Sequence, residues 1–118
     1  MVYESVVEET IISLLQQKGY ELIDETNQWI ADRQLDEFIN KNLLLDCLER
    51  INNIHDISIL NDAINSIVRL ENPSLFERNF AFHKILTRGI DIDSKDYDVN
   101  PHINFIDFNN PKNNIFQV

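Results

Sequence analysis

The chain has 118 residues, 43% of them hydrophobic and 25% charged, with a formal charge of −10 from 20 acids against 10 bases. That length and composition suit one folded domain or part of one and exclude a disordered chain. The acid excess excludes a segment that grips phosphate backbones through Lys and Arg by itself, and no apolar run approaches the ~20 residues of a membrane span.

The opening segment carries Ser5-x-x-Glu8, read as a capping box, in which hydroxyl and carboxylate satisfy N–H groups at a helix start. Val7, Ile11, Leu14 and Leu15 follow at helical spacing, and Lys18-Gly19 closes the helix with glycine in the left-handed C′ position. Tyr20 and Leu22 read as extended. Within residues 24–38, Trp29-Ile30-Ala31 suggests a short helical turn, and Arg33 to Phe38 reads as irregular.

Lys41 to Asn52 is expected to be helical, with Leu44, Leu48 and Ile51 on one face and Leu45 and Cys47 widening it. A second helix runs from Ser58 to Leu70, carrying Leu60, Ile64, Ile67 and Val68 and capped by Ser58 or Asp56. Ser74-x-x-Glu77 repeats the opening frame and starts a helix that ends at Arg88-Gly89.

The period then shortens. Ile90-Asp91-Ile92-Asp93 alternates as a strand with one wet face. Ser94-Lys95-Asp96 reads as a turn, Ile103 to Phe108 as the best strand, and Asn109 to Asn113 as a turn rich in Asn and Pro. Asn114 to Val118 should pair back on that strand. The fold class is therefore α+β: helices over residues 1–89, then an antiparallel β-meander over 90–118. With Ile115, Phe116 and Val118 inside its last strand, the chain reads as the truncated front piece of a larger domain, and the exposed final edge favours self-association.

Chemistry-bearing residues are sparse. Cys47, alone on an apolar stretch, reads as a buried thiol that can form neither an internal disulfide nor a Cys-based zinc site. His55, His83 and His102 lack metal-ligand spacing, and His83 reads as a packed or hydrogen-bonded structural histidine. Glu4 and Glu8 share a helix face, with Glu9 adjacent. Such a pair could hold a divalent cation, but acids also gather at helix starts through the macrodipole, and spacing favours that reading. Asp91, Asp93, Asp96 and Asp98 read as the wet side of a sheet. Met-Val-Tyr-Glu-Ser, with no basic region or long apolar run, does not read as a signal peptide, and a lone cysteine fits a reducing cytoplasm.

Several of these pieces resemble one family in order along the chain. They are Ser5-x-x-Glu8 with Ile11/Ile12, Leu15 and Gly19-Tyr20; Leu44, Leu48 and Ile51-Asn52; Ala63-Ile64 and Ile67; Ser74-Leu75, Asn79, Phe82-His83, Leu86 and Gly89-Ile90; Ile106-Asp107-Phe108, Asn110-Pro111 and Asn114-x-Phe116. The set resembles the start of the nuclease domain in the R (restriction, motor-bearing) subunit of type I restriction enzymes. The resemblance implies that residues 1–118 form one N-terminal segment of a restriction-endonuclease-like α/β fold. It implies a metal-dependent site of an Asp and a Glu-x-Lys placed after the hairpin that begins here, and no Glu-x-Lys occurs in the chain. Glu8 alone matches a helix acid of the family and is carried over as an accessory catalytic acid and, with Glu4, a possible metal ligand. Mg²⁺, ATP, double-stranded DNA and the modification and specificity subunits are implied for the parent protein, and no cofactor for these residues alone. The second reading, from the charge, is an acidic interaction domain or a DNA-mimicking nuclease inhibitor; acids scattered among helix caps and strand faces argue against mimicry.

Overall fold

The computed structural model describes residues 4–24, 26–34 and 37–118. The chain divides into two compact units, one of Met1–Phe38 with Ile115–Val118 and one of Ile39–Asn114.

In the first unit, helix α1 spans Glu4–Gln17. It already contains Ser5, so Ser5 is not its N-cap, and the expected capping box does not form; the position before Glu4 lies outside the described residues. The C-terminus behaves as expected. Gly19 has φ +98°, its N–H donates to the Gln16 carbonyl, and the Tyr20 N–H reaches back to Leu15 at 3.0 Å. This pair of bonds is the Schellman arrangement, which satisfies carbonyls that the helix leaves open. Short helix α2 spans Gln28–Asp32, where the Asn27 side chain accepts from the N–H groups of Trp29 and Ile30. Part of the irregular stretch expected over 33–38 lies outside the described residues.

The second unit holds the core. Helix α3 spans Lys41–Asn52, as its periodicity predicts, with Asn40 capping Leu43 N–H and Asn53 left-handed at φ 52°. Helix α4 spans Ile57–Val68, capped by Asp56, which accepts from Ser58 N–H. α3 and α4 pack together through Leu48, Ile59, Leu60, Ala63, Ile64 and Ile67. Ile59 and Ala63 join a face that the stripe alone does not include, whereas Val68 is exposed. Helix α5 spans Leu75–Arg88; its cap Ser74 accepts from Glu77 N–H at 3.1 Å, and Ile85 and Leu86 lie against the core.

Strands β1 (Ile90–Asp91) and β2 (His102–Ile103) pair antiparallel, Ile90 opposite Ile103 and Asp91 opposite His102. Ile92, Ile103 and Phe105 complete the core. Leu48, Leu60 and Ile103 are fully buried, each contributing roughly 1.5–3 kcal/mol by the usual transfer scale. Mixed helix and a small sheet make the class α+β.

The expected meander is not formed. Beyond Ile103, side chains take the backbone groups that a ladder would use. Asn52 Oδ1 accepts the Asn104 N–H at 2.8 Å, and Asn52 Nδ2 donates to the Asn104 carbonyl at 2.9 Å. Asp107 accepts from the N–H groups of Asn109 and Asn110 and from the Asn113 amide, while Asn114 holds the Asp107 N–H and carbonyl. These bonds draw 107–114 into a knot around a 3₁₀ turn at Pro111–Asn113. The final segment does not pair back on it. In the first unit, Gln117 bridges Glu21 in parallel, with Glu21 N–H on the Phe116 carbonyl at 2.7 Å and Ile23 N–H on Val118 at 2.8 Å. One edge of the last segment is thus occupied.

Gly89 closes α5 differently from Gly19. Its φ is +75° with ψ −172°, and a Cβ there would lie 2.5 Å from the Ile103 carbonyl oxygen. A Cβ at Gly19 would meet nothing within 4 Å. Gly89→Ala is therefore expected to destabilise the chain by at least about 2 kcal/mol, through both strain and collision. Gly19→Ala, with only the dihedral penalty, should lose about 1 kcal/mol; urea denaturation of the two variants checks the order.

Candidate functional site

Glu4 and Glu8 stand one turn apart at exposed positions in the first turns of α1, with Glu9 exposed beside them. A divalent cation needs several oxygen ligands converging on a point. Among the described residues, no group of three His, Cys, Asp or Glu side chains converges to hold an ion. The acids of α1 therefore do not fit a magnesium centre by themselves. Residues 1–38 contain nine acids against two bases, and residues 39–118 eleven against eight. The negative charge is concentrated in the first third of the chain.

The histidines differ from one another. His83 is exposed on α5, not packed as expected, because the core side of that helix is taken by Ile85 and Leu86. His55 Nδ1 lies 2.7 Å from Glu49. His102 is the most engaged: Nδ1 is 2.6 Å from Asp91 Oδ1 across the β1–β2 pair, and Nε2 is 2.9 Å from the Arg88 carbonyl at the end of α5. The Asp91 carboxylate, assisted by the Arg88 carbonyl, holds the His102 pKa above its ordinary value. Both ring nitrogens are engaged, so this imidazole has no free lone pair to offer a metal or a substrate. Its chemistry is that of a clasp, pinning the α5 terminus to the two-stranded sheet.

Cys47 is half-buried and not enclosed as expected, with an Arg50 guanidinium nitrogen 3.7 Å from its sulfur. That guanidinium also donates to the Asn113 carbonyl at 2.6 Å and 3.2 Å, tying α3 to the 3₁₀ turn. Asp93-Ser94-Lys95 is the one acid-x-Lys frame in the chain, with Asp93 and Lys95 exposed around the turn that follows β1. Asp107 has its carboxyl pKa lowered, chiefly by the Asn110 N–H and then by the Asn113 amide. The Asn52, Arg50 and Asp107 contacts were not legible in sequence. Asn52 and Arg50 reach partners 52 and 63 residues away, beyond any local pattern.

The model of a known protein family, the type I restriction enzyme R protein N terminus, matches residues 1–118. The chain belongs to this family. No curated protein and no solved structure matches it.

Several of the residues on which the resemblance to the R-protein family rests make contacts that hold this fold. Asn52 holds Asn104, Gly89 admits β2, and Asp107 and Asn114 hold each other. No described helix is long and apolar enough to cross a membrane.

Two outcomes follow. Calorimetric titration of the chain with Mg²⁺ should show binding no tighter than about 1 mM, the weak end for oxygen-ligand sites; micromolar affinity would mean a site assembled elsewhere in the chain. A raised histidine pKa contributes stability that is complete below the unfolded value, near 6.5, and lost as pH climbs through the folded one. Denaturation midpoints should therefore decline as pH rises above about 6.5. His102→Ala should remove that component, which stays under about 1 kcal/mol because both partners are largely solvated.

Proposed function

We propose that this chain supplies the N-terminal segment of the nuclease domain in the R subunit of a type I restriction-modification enzyme, and that its share of the work is architectural. The family match over residues 1–118 carries this reading. The absence of any Glu-x-Lys from the sequence and of a converging metal-ligand group among the described residues supports the division of labour. The catalytic Asp and the Glu-x-Lys then stand elsewhere in the subunit, within a restriction-endonuclease-like α/β fold. Mg²⁺ at that site would activate water and stabilise the charged phosphate.

In this reading the parallel ribbon of Glu21–Ile23 with Phe116–Val118 is an edge to which further strands of the domain add. Parallel strands are ordinarily covered on both faces, and Leu22, Ile115, Phe116 and Val118 remain exposed here. The ATP-driven motor belongs to another part of the subunit, and target recognition on double-stranded DNA to the modification and specificity subunits, in the cytoplasm. Glu8 enters only as an outer carboxylate near the metal site.

Two measurements test this reading. The isolated chain with Mg²⁺ should leave supercoiled plasmid intact, while the complete R subunit, assembled with its partners and ATP, cleaves it. Cleavage by the isolated chain would refute the division of labour. Glu8→Gln in the complete subunit should slow cleavage by about tenfold, as outer-sphere changes at metal sites do, and leave ATP turnover unchanged. Unchanged cleavage would reduce Glu8 to a solvated helix acid.

A further inference from the structure

The junction between the end of α5 and the β1–β2 pair surrounds one imidazole with acceptors. His102 Nδ1 lies 2.6 Å from the Asp91 carboxylate, and Nε2 lies 2.9 Å from the Arg88 carbonyl. An ionised carboxylate and a carbonyl oxygen only accept, so each ring nitrogen needs its own hydrogen to bond its neighbour. A neutral imidazole carries one N–H, and only the imidazolium carries two. Asp91 on β1 is the charge that acts on the ring; α5 contributes the Arg88 carbonyl, and Asn104, just past β2, contributes a carboxamide that also favours the protonated form. Nε2 and the Asn104 Oδ1 both lie within 2.8 Å of where a Cβ on Gly89 would stand, so the ring occupies space that glycine leaves open.

Independently of the nuclease reading, we propose that His102 is a proton-operated latch. The imidazolium holds β1 and the α5 terminus to β2 at once, and the neutral ring releases one of them while the α3–α4 core stays packed. With its hydrogen on Nδ1, the neutral ring turns the Nε2 lone pair on the Arg88 carbonyl. With its hydrogen on Nε2, it turns the Nδ1 lone pair on the Asp91 carboxylate. Either tautomer sets two acceptors against each other at hydrogen-bond distance, and one neighbour must draw away. A two-residue ladder has little else to resist this. Asp91 and His102 form its outer pair, next to the loop 93–100, so release on that side frays the hairpin from the loop inward. Release on the other side frays the last turn of α5.

NMR of the 118-residue chain tests the latch. The His102 ring should titrate at higher pH than the exposed His83 in the same spectrum, and Asp91→Asn should bring it down. Two amides report the two sides: Ile92 N–H meets the Pro101 carbonyl at 2.9 Å, and Gly89 N–H meets the Ile85 carbonyl at 2.8 Å. As pH rises through the His102 titration, the exchange protection factor of at least one should fall about threefold, a modest step because the pair is partly solvated. The opening responsible is local, so low urea should not accelerate it. His102→Gln should abolish the step, and circular dichroism verifies that both variants keep their helices. A His102 ring titrating no higher than His83, a step that survives His102→Gln, or Ile92 and Gly89 exchanging only through the urea-dependent unfolding of the α3–α4 core overturns the proposal.

Discussion

The approach of β2 to Gly89 is the constraint on which the second unit depends. The Ile103 carbonyl oxygen lies only 2.5 Å from where a Cβ on residue 89 would stand, so glycine lets the end of α5 and the two-stranded sheet approach this closely. From that contact β1 leaves directly toward the core, placing Ile92 under it, while Ile103 and Phe105 arrive from the other strand. His102 then spans the junction from Asp91 to the Arg88 carbonyl. A helix C-terminus is the negative end of the macrodipole, and an imidazole whose pKa a neighbouring carboxylate raises is well matched to it.

Side chains finish what the short strands begin. A two-residue ladder is too small to stand alone, and here amides extend it. Asn52 presents its carboxamide to both backbone groups of Asn104, as a neighbouring strand would. Asp107 and Asn114 do the same for the 107–114 turn, and Arg50 clamps the Asn113 carbonyl. Charged and amide groups satisfy buried or half-buried backbone without requiring another strand. That accounts for a chain so rich in Asn beyond residue 100 forming a knot and not a meander.

Several of the residues on which the resemblance to the R-protein family rests are among those doing this structural work. Gly89 admits the Ile103 carbonyl, while Asn52, Asp107 and Asn114 bond backbone groups on the neighbouring turns. Their chemistry is conformational freedom and hydrogen bonding, not proton transfer or metal ligation.

Helices α3, α4 and α5 were legible from the chain, with ends set within a residue or two by Asn40, Asp56, Ser74 and Gly89, because caps and 3.6-residue periodicity are local signals. Glycine at position 19 was likewise readable as a left-handed terminus. What lay beyond reach was pairing. A run such as Ile103 to Phe108 has strand composition, but whether its N–H groups meet another strand or the Asn52 carboxamide depends on what folds nearby, 52 residues away in sequence. The partner of the last segment was missed for the same reason: hydrophobic alternation specifies a face and not a neighbour. Local signals in the chain were enough to place helices α3, α4 and α5 to within about two residues and to show that no Glu-x-Lys is present. Only the tertiary structure decided which backbone groups meet, because hydrogen-bond partners are chosen by proximity in space, which local periodicity does not encode.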